Sequence, residues 1–526
     1  MKKLGFTFFL VLLISFFLSC SDSSDSNSSG GDAEPEATFE SVDSYSVEDI
    51  VQKLSAQNDV KYDEVLSYFT DDYKTDSIGI VKDILKDNKE YFKNSDGSAV
   101  TDEDIDRAAN AQNADIGYLV HVEEVIMKYP TTDPKGNKIT ASASILINYV
   151  KPTDISNFAT FFVNIFDAPS RIYAKSEQVV LHNHVTITDN MQCPSLDPDI
   201  ATENGLMYKI ALSNNMVVSP DYQGYGATSS MVHPYLIQET TAKQCYDAVV
   251  EAIRWKRNTK NWKPKNSDRT YDLRGVESDF DMYNFGYSQG GSVTLAVHNY
   301  IEKNDPKDTL HFRGSLCGDG PYHPVATYEW MLENGMYMPC VVPLILRSYL
   351  YYYGDSYLKG YTVSDFLNET VCNALKKGST NEWELIDCKK YNTDQINDML
   401  FAALGKTGAE KVTAQEMFNP AALDINSAPA KALIKALAEN DYTDREKWPN
   451  GKNKKMIIAY HNRNDEVVPP VNTERLISNV GGIGNVKYHW EGGSTNSPVK
   501  GTHVDYGTTF FLNEVIIGRT YKDVKD

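Results

Sequence analysis

The chain has 526 residues, with 51 Lys and Arg against 72 Asp and Glu, for a formal net charge of −21. Acid in this excess argues against a nucleic-acid partner and otherwise describes a solvated surface. The length allows a large core and roughly two to four domains, or one α/β domain carrying insertions.

Lys2 and Lys3 precede an apolar run over 4–18 that is short for a bilayer span and ends at Leu18, Ser19 and Cys20. Residues 1–20 therefore read as a secretory signal. The pattern resembles a bacterial lipoprotein signal, with Phe17 an imperfect fit at the outer position of the box. That resemblance implies lipidation of Cys20 as the mature amino terminus, export, and a membrane anchor on the bacterial envelope, at the outer membrane or cell surface. Residues 21–45 are mostly Ser, Asp, Asn and Gly, then Glu, Ala and Ser. They lack the apolar surface to fold and read as a flexible tether. With Cys20 lipidated, Cys193, Cys245, Cys317, Cys340, Cys372 and Cys388 remain, an even number in a disulfide-permissive compartment. Cys372 with Cys388 is the most local candidate pair. Neither C-x-x-C nor H-E-x-x-H spacing occurs, so no metal site is expected.

Residues 46–115 read as a polar helical extension, with apolar positions at Val65, Leu66, Phe69, Ile80, Val81, Ile84 and Leu85. Two alternating, β-branched runs over 116–127 and 139–149 flank Asp133, Pro134, Lys135 and Gly136, which predicts a hairpin. Further strands are expected over 158–166, 178–183 and 216–220, with a short helix over 205–215. A long helix over 238–257 places Ala242, Cys245, Val249, Ala252 and Ile253 on one face. Strands over 280–285, 310–316, 455–460 and 486–490 continue the alternation, which implies a mostly parallel sheet with crossover helices.

The segment between the strands over 310–316 and 455–460 is far longer than an ordinary connection. Residues 322–450 read as a helical cap, with helical periodicity over 363–377, 394–404 and 428–440. The apolar, aromatic stretch over 337–353 either helps form a pocket for an apolar group or builds the cap's own core.

The chain is organised around Phe285, Gly286, Tyr287, Ser288, Gln289, Gly290 and Gly291, between a predicted strand and a predicted helix over 288–301. Strand, tight turn and helix is the context in which a G-x-S-x-G run presents its serine as a nucleophile. A serine hydroxyl needs a base within hydrogen-bonding reach and a third group to orient that base. Of the histidines after Ser288, His298 lies inside the helix, and His311 and His489 lie within strands. His503 falls on a loop after the strand over 486–490 and is the candidate base. Asp465, beyond the strand over 455–460, is the leading acid; Glu466 would point elsewhere, and Asp319 is the alternative. Order and strand-end placement together select Ser288, Asp465 and His503. For the oxyanion, one donor is the backbone N–H of Gln289 and the other falls at His184 or Val185, with Asp167 as a competing placement.

From about residue 139 onward the chain resembles the secretory lipases of the lipase A type, within the α/β-hydrolases. The motifs are Gln192, Cys193, Pro194 and Ser195; Pro220 to Gly226 (PDYQGYG); His233, Pro234, Tyr235 and Leu236; the Ser288 elbow; and Gly318, Asp319, Gly320, Pro321 and Tyr322. The resemblance implies an α/β-hydrolase fold with a helical cap at 322–450 inserted into a core of 116–321 and 451–526. It also implies ester hydrolysis without a cofactor, on a small-molecule or lipid ester, with Ser288, Asp465 and His503 as the triad. The oxyanion loop departs from the common His-Gly pattern, since it reads His182, Asn183, His184, Val185 and Thr186. Two alternatives remain: a serine peptidase of the prolyl-oligopeptidase type, and a non-catalytic binding protein on a hydrolase fold.

Overall fold

The computed structural model describes residues 36–58, 81–94, 96–111, 120–151, 170–197, 203–408, 410–493 and 497–511. Cys20, most of the expected tether, the strand expected over 158–166, and Asp167 lie outside them. So do Val65, Leu66, Phe69 and Ile80 of the amino-terminal extension.

The strands in chain order are β1 (Thr38–Ser46), β2 (Val120–Thr132), β3 (Lys138–Val150), the short β4 (Ile172–Tyr173), β5 (Ser176–Asn183), β6 (Asn215–Pro220), β7 (Val276–Tyr287), β8 (Phe312–Gly318), β9 (Asn453–Asn462) and β10 (Gly484–Glu491). They form one sheet in the order β1-β2-β3-β6-β5-β7-β8-β9-β10, with β4 paired to β3. β2 and β3 make the antiparallel hairpin. Its turn is closed by Asp133, whose Oδ1 accepts from the N–H groups of Lys135 (2.9 Å) and Asn137 (2.8 Å). From β6 through β10 every pairing is parallel. β6 is buried at every position, whereas β10 is exposed or half-exposed throughout, as expected of a central and an edge strand.

The labelled helices are α1 (Val47–Asn58), α2 (Asp102–Ala111), α3 (Glu203–Leu212), α4 (Gln238–Asn258), α5 (Gln289–Asn304), α6 (Pro324–Asn334), α7 (Val341–Tyr352), α8 (Glu369–Lys376), α9 (Thr393–Ala403), α10 (Ala428–Ala438), α11 (Val471–Asn479) and α12 (Thr502–Thr509). One face of the sheet buries Ile50 and Val51 of α1, Leu212 of α3 and Tyr506 of α12 against Val122, Val217 and Tyr460. The other buries Val249 of α4, Leu295 of α5 and Leu476 of α11 against Val125, Val218 and Ile457. The segment between β8 and β9 has its own core, in which α6 to α10 surround Leu346, Tyr349, Phe366 and Leu400.

Three expectations need correction. The stretch read as the end of a tether is in part β1, an antiparallel partner of β2. Its average composition is polar, but Phe39 stacks on Trp255 with ring centroids 4.7 Å apart, and the pairing itself uses only backbone. The helix expected over 363–377 starts later, at Glu369, because the Asn368 side chain accepts from the N–H of Val371 and caps it there. Finally, all six described cysteines are free thiols. Those of Cys372 and Cys388 donate to the carbonyls of Leu367 and Leu385, respectively.

Candidate active site

β7 enters the site and α5 leaves it, with Ser288 between them at φ 56°, ψ −121°. A side chain held in that region costs about 1–3 kcal/mol, so the surroundings must enforce it. They do so by close approach. A Cβ on Gly290 would lie 2.0 Å from the carbonyl oxygen of Asn183, and one on Gly291 would lie 2.2 Å from that of Gly318. The N–H of Ser288 donates to the same Gly318 oxygen at 2.9 Å, which fastens the turn to the end of β8. The serine hydroxyl is left partly exposed at the carboxyl edge of the sheet, where open α/β folds bind ligands.

His503 presents Nε2 to Ser288 Oγ at 2.9 Å and Nδ1 to Asp465 Oδ2 at 2.5 Å. Asp465 is on the loop after β9, and its Oδ1 accepts from the N–H groups of Val467 (2.7 Å) and Val468 (2.8 Å). Burial disfavours charge on both members of the buried pair, but their mutual attraction outweighs it. The carboxyl is held below its usual range and the imidazole above its own. His503 is in the first turn of α12 rather than on a loop, since Gly501 at φ +88° starts the helix just before it.

Glu466 points away from Asp465, as expected, but not into solvent. Its carboxylate accepts from the N–H of Gly501 (2.6 Å), the N–H of His503 (3.1 Å) and the hydroxyl of Thr502 (2.7 Å). It thus satisfies the amino end of the helix that carries the imidazole. Adjacency to Asp465 was the only sequence signal for this.

The N–H of Gln289 is the first of α5, so it has no acceptor within the helix and belongs to the positive end of the helix dipole. The Gln289 side chain is fixed as well. Its amide donates to Nε2 of His233 at 2.9 Å, and Nδ1–H of His233 donates to the Gln223 carbonyl at 2.7 Å. Burial pushes the His233 imidazole down to about 3, so it stays neutral. Val185, one of the two expected second donors, is corrected: its N–H donates to Glu203 Oε2 at 2.9 Å. Glu203, at the start of α3, also holds His182 Nε2 at 2.7 Å, a tie that strand spacing could not reveal. The other, His184, directly follows β5; its ring stacks on Tyr222 and its two nitrogens face the carbonyls of Val185 and Asp221.

Asp319, the alternative acid, is also here but does not touch the imidazole. It lies fully buried after β8, and one atom each of Asp319, His461 and Asp465 fall within 4.8 Å of one another. The ring nitrogens of His461 face the Thr473 hydroxyl (2.8 Å) and the Val468 carbonyl (3.0 Å), so the cluster is bonded within the protein. The remaining histidines considered, His298 in α5, His311 before β8 and His489 in β10, lie outside the constellation.

A small apolar cavity of about 30 Å³ lies in the cap, lined by Met331, Val342, Ile345, Leu346 and Leu433 together with Pro321. Of the stretch over 337–353, Val342, Ile345 and Leu346 line this cavity, while Tyr349 packs in the cap's own core, the second of the two expected roles. Gly320, next to Pro321, crosses the first turn of α5 so closely that a Cβ there would lie 2.6 Å from the Ser292 nitrogen.

No family model matches the chain, and no curated protein does. Solved structures do match. The rice cell wall degrading esterase LipA from Xanthomonas oryzae is 18% identical, with a TM-score of 0.57 over 76% of this chain and 90% of that one. A ligand-bound form of that esterase is 17% identical, with a TM-score of 0.57 over 79% and 94%. Lipase A from Candida antarctica is 13% identical over 73% of each chain, and its TM-score of 0.45 carries no argument. At these identities the likeness establishes the fold, which is that of an α/β-hydrolase.

Proposed function

We propose that the chain is a serine hydrolase that cleaves carboxylic esters through an acyl-enzyme, anchored to the bacterial envelope by lipid on Cys20. The observation that carries the reading is the continuous line from Ser288 Oγ through both nitrogens of His503 to the buried Asp465. His503 takes the serine proton as the hydroxyl attacks the ester carbonyl carbon, and later gives it to the leaving alcohol. Water then attacks the acyl-serine by the same route in reverse. Asp465 keeps Nδ1 as the protonated nitrogen and stabilises the imidazolium. The developing oxyanion is met by the N–H of Gln289 with the backbone N–H of His184 as second donor; losing one such donor costs about 3–4 kcal/mol elsewhere. The small apolar cavity in the cap takes the first carbons of the substrate's apolar part. The structural likeness to an esterase supports the chemistry.

The test is labelling by a fluorophosphonate probe and turnover of p-nitrophenyl acyl esters, each compared with Ser288→Ala. Labelling and ester turnover should vanish together in the variant. A folded wild-type protein that does not label would favour a binding protein, and turnover of aminoacyl anilides without esters would favour a peptidase. For the anchor, Cys20→Ala should release the protein from the membrane fraction and abolish incorporation of labelled palmitate; retention at the membrane would refute lipidation.

A further inference from the structure

Three neighbouring strand ends bring Tyr287, Asp319 and Asp465 together beneath His503, and their hydrogen bonds fix where the protons are. Asp319 Oδ1 accepts from the N–H of Asn462 at 3.1 Å, and its Oδ2 lies 2.7 Å from the Tyr287 hydroxyl. That hydroxyl also lies 2.7 Å from the backbone carbonyl of His503, an oxygen that can only accept. The phenol has one proton to give, and the carbonyl needs it. The contact between Tyr287 and Asp319 and the side-chain hydrogen bond between Asp319 and Asp465 then lack a hydrogen unless Asp319 itself is protonated.

Charge points the same way. Asp319 and Asp465 are both buried, and two carboxylates so close cannot both stay ionised without a cation. The neighbouring His461 supplies none. Its Nε2–H donates to the Val468 carbonyl and its Nδ1 accepts from Thr473, while burial lowers it to about 4. Asp465 is the member paired with His503, so Asp319 is the one that keeps a proton.

We propose that Asp319 is a neutral carboxylic acid acting as a positioning residue: its proton serves the contacts with Tyr287 and Asp465, Tyr287 donates to the His503 carbonyl, and the base is fixed without adding a charge beside Asp465. The inference rests on the triad reading above. The titratable groups that face Asp319 are Tyr287 from β7, Tyr322 after β8, and His461 and Asp465 from β9 and its loop; beyond them Arg463 acts on His461, Glu466 on His503 and Tyr506 on Tyr287. Burial, and then the Asp465 charge, push Asp319 well above the usual carboxylate range.

The experiment is the pH profile of kcat/KM on p-nitrophenyl butyrate for the full chain, Asp319→Asn, Asp319→Ala and Asp465→Asn. Asparagine copies a neutral acid here, since its amide can donate to Tyr287 while its oxygen accepts from Asn462. Asp319→Asn should keep kcat/KM within about threefold and leave the acid limb unmoved within about 0.3 pH unit. Asp319→Ala should lose about tenfold or more in kcat at similar KM, a loss that asparagine rescues. A downward move of the acid limb by about one unit in Asp319→Asn would mean that the native group is ionised and would overturn the proposal. A loss in Asp319→Asn equal to that of Asp465→Asn would overturn it too. If Asp465→Asn itself keeps full activity, the triad reading fails instead, whatever Asp319 does.

Discussion

Replacing Glu466 with alanine should disable the site without touching any group that meets the substrate. The side chain is buried, and removing its carboxylate strips the acceptor from two backbone N–H groups, those of Gly501 and His503. A buried donor left without a partner costs about 1–3 kcal/mol, and losing a carboxylate at a helix amino end costs about 0.3–1 kcal/mol more. Thr502 adds little, because its hydroxyl also has the carbonyls of Asn464 and Val499 within 2.6 Å. Water entering the vacated space recovers part of the sum, which leaves about 2–4 kcal/mol acting on the first turn of α12. That turn carries His503, so the free energy appears as a smaller population with the imidazole in place. Converted at 1.4 kcal/mol per decade, kcat/KM on p-nitrophenyl butyrate should fall about 30- to 700-fold. Glu466→Gln should fall between, since one amide oxygen can serve only part of the donor set. Circular dichroism melts run beside the kinetics separate local from global loss. A Glu466→Ala protein within about threefold of wild type in kcat/KM would refute the claim that this carboxylate holds the base in place.

The His503 imidazole must be neutral to accept the serine proton, and Asp465 holds it above its ordinary 6.5, so kcat/KM should rise with pH through a midpoint above that value. In Asp465→Asn, burial, the largest influence on the ring, is opposed only by the weaker attraction of Glu466; the residual activity, down about 10⁴-fold, should have its acid limb below 6.5 in a pH–rate profile. A limb that does not move would detach Asp465 from His503. Gly290→Ala should destabilise the fold by more than about 3 kcal/mol in chemical denaturation, because the new methyl would meet β5 backbone at 2.0 Å. An unchanged midpoint would show that the strand can give way. Val342→Trp fills the cap cavity and should lower kcat/KM for p-nitrophenyl octanoate relative to acetate by about tenfold. Equal effects on both esters would remove that cavity from the acyl path.

What could be read directly from the chain is what depends on local chemistry. Gly286, Gly290 and Gly291 around Ser288 mark a turn with no room for Cβ atoms, and strand ends in a parallel sheet all face one edge, so the order of Ser288, Asp465 and His503 carried information about proximity. β1 escaped because an edge strand earns its place through a partner's backbone and one ring stack, neither of which leaves a mark in a polar composition. The tie from the Val185 N–H to Glu203, the contacts of Asp319 and the cap that Glu466 makes for α12 were decided only by the tertiary structure. Each depends on which oxygen comes within about 3 Å of which hydrogen across segments far apart in sequence, and hydrogen bonds are lost over less than the length of one side-chain bond.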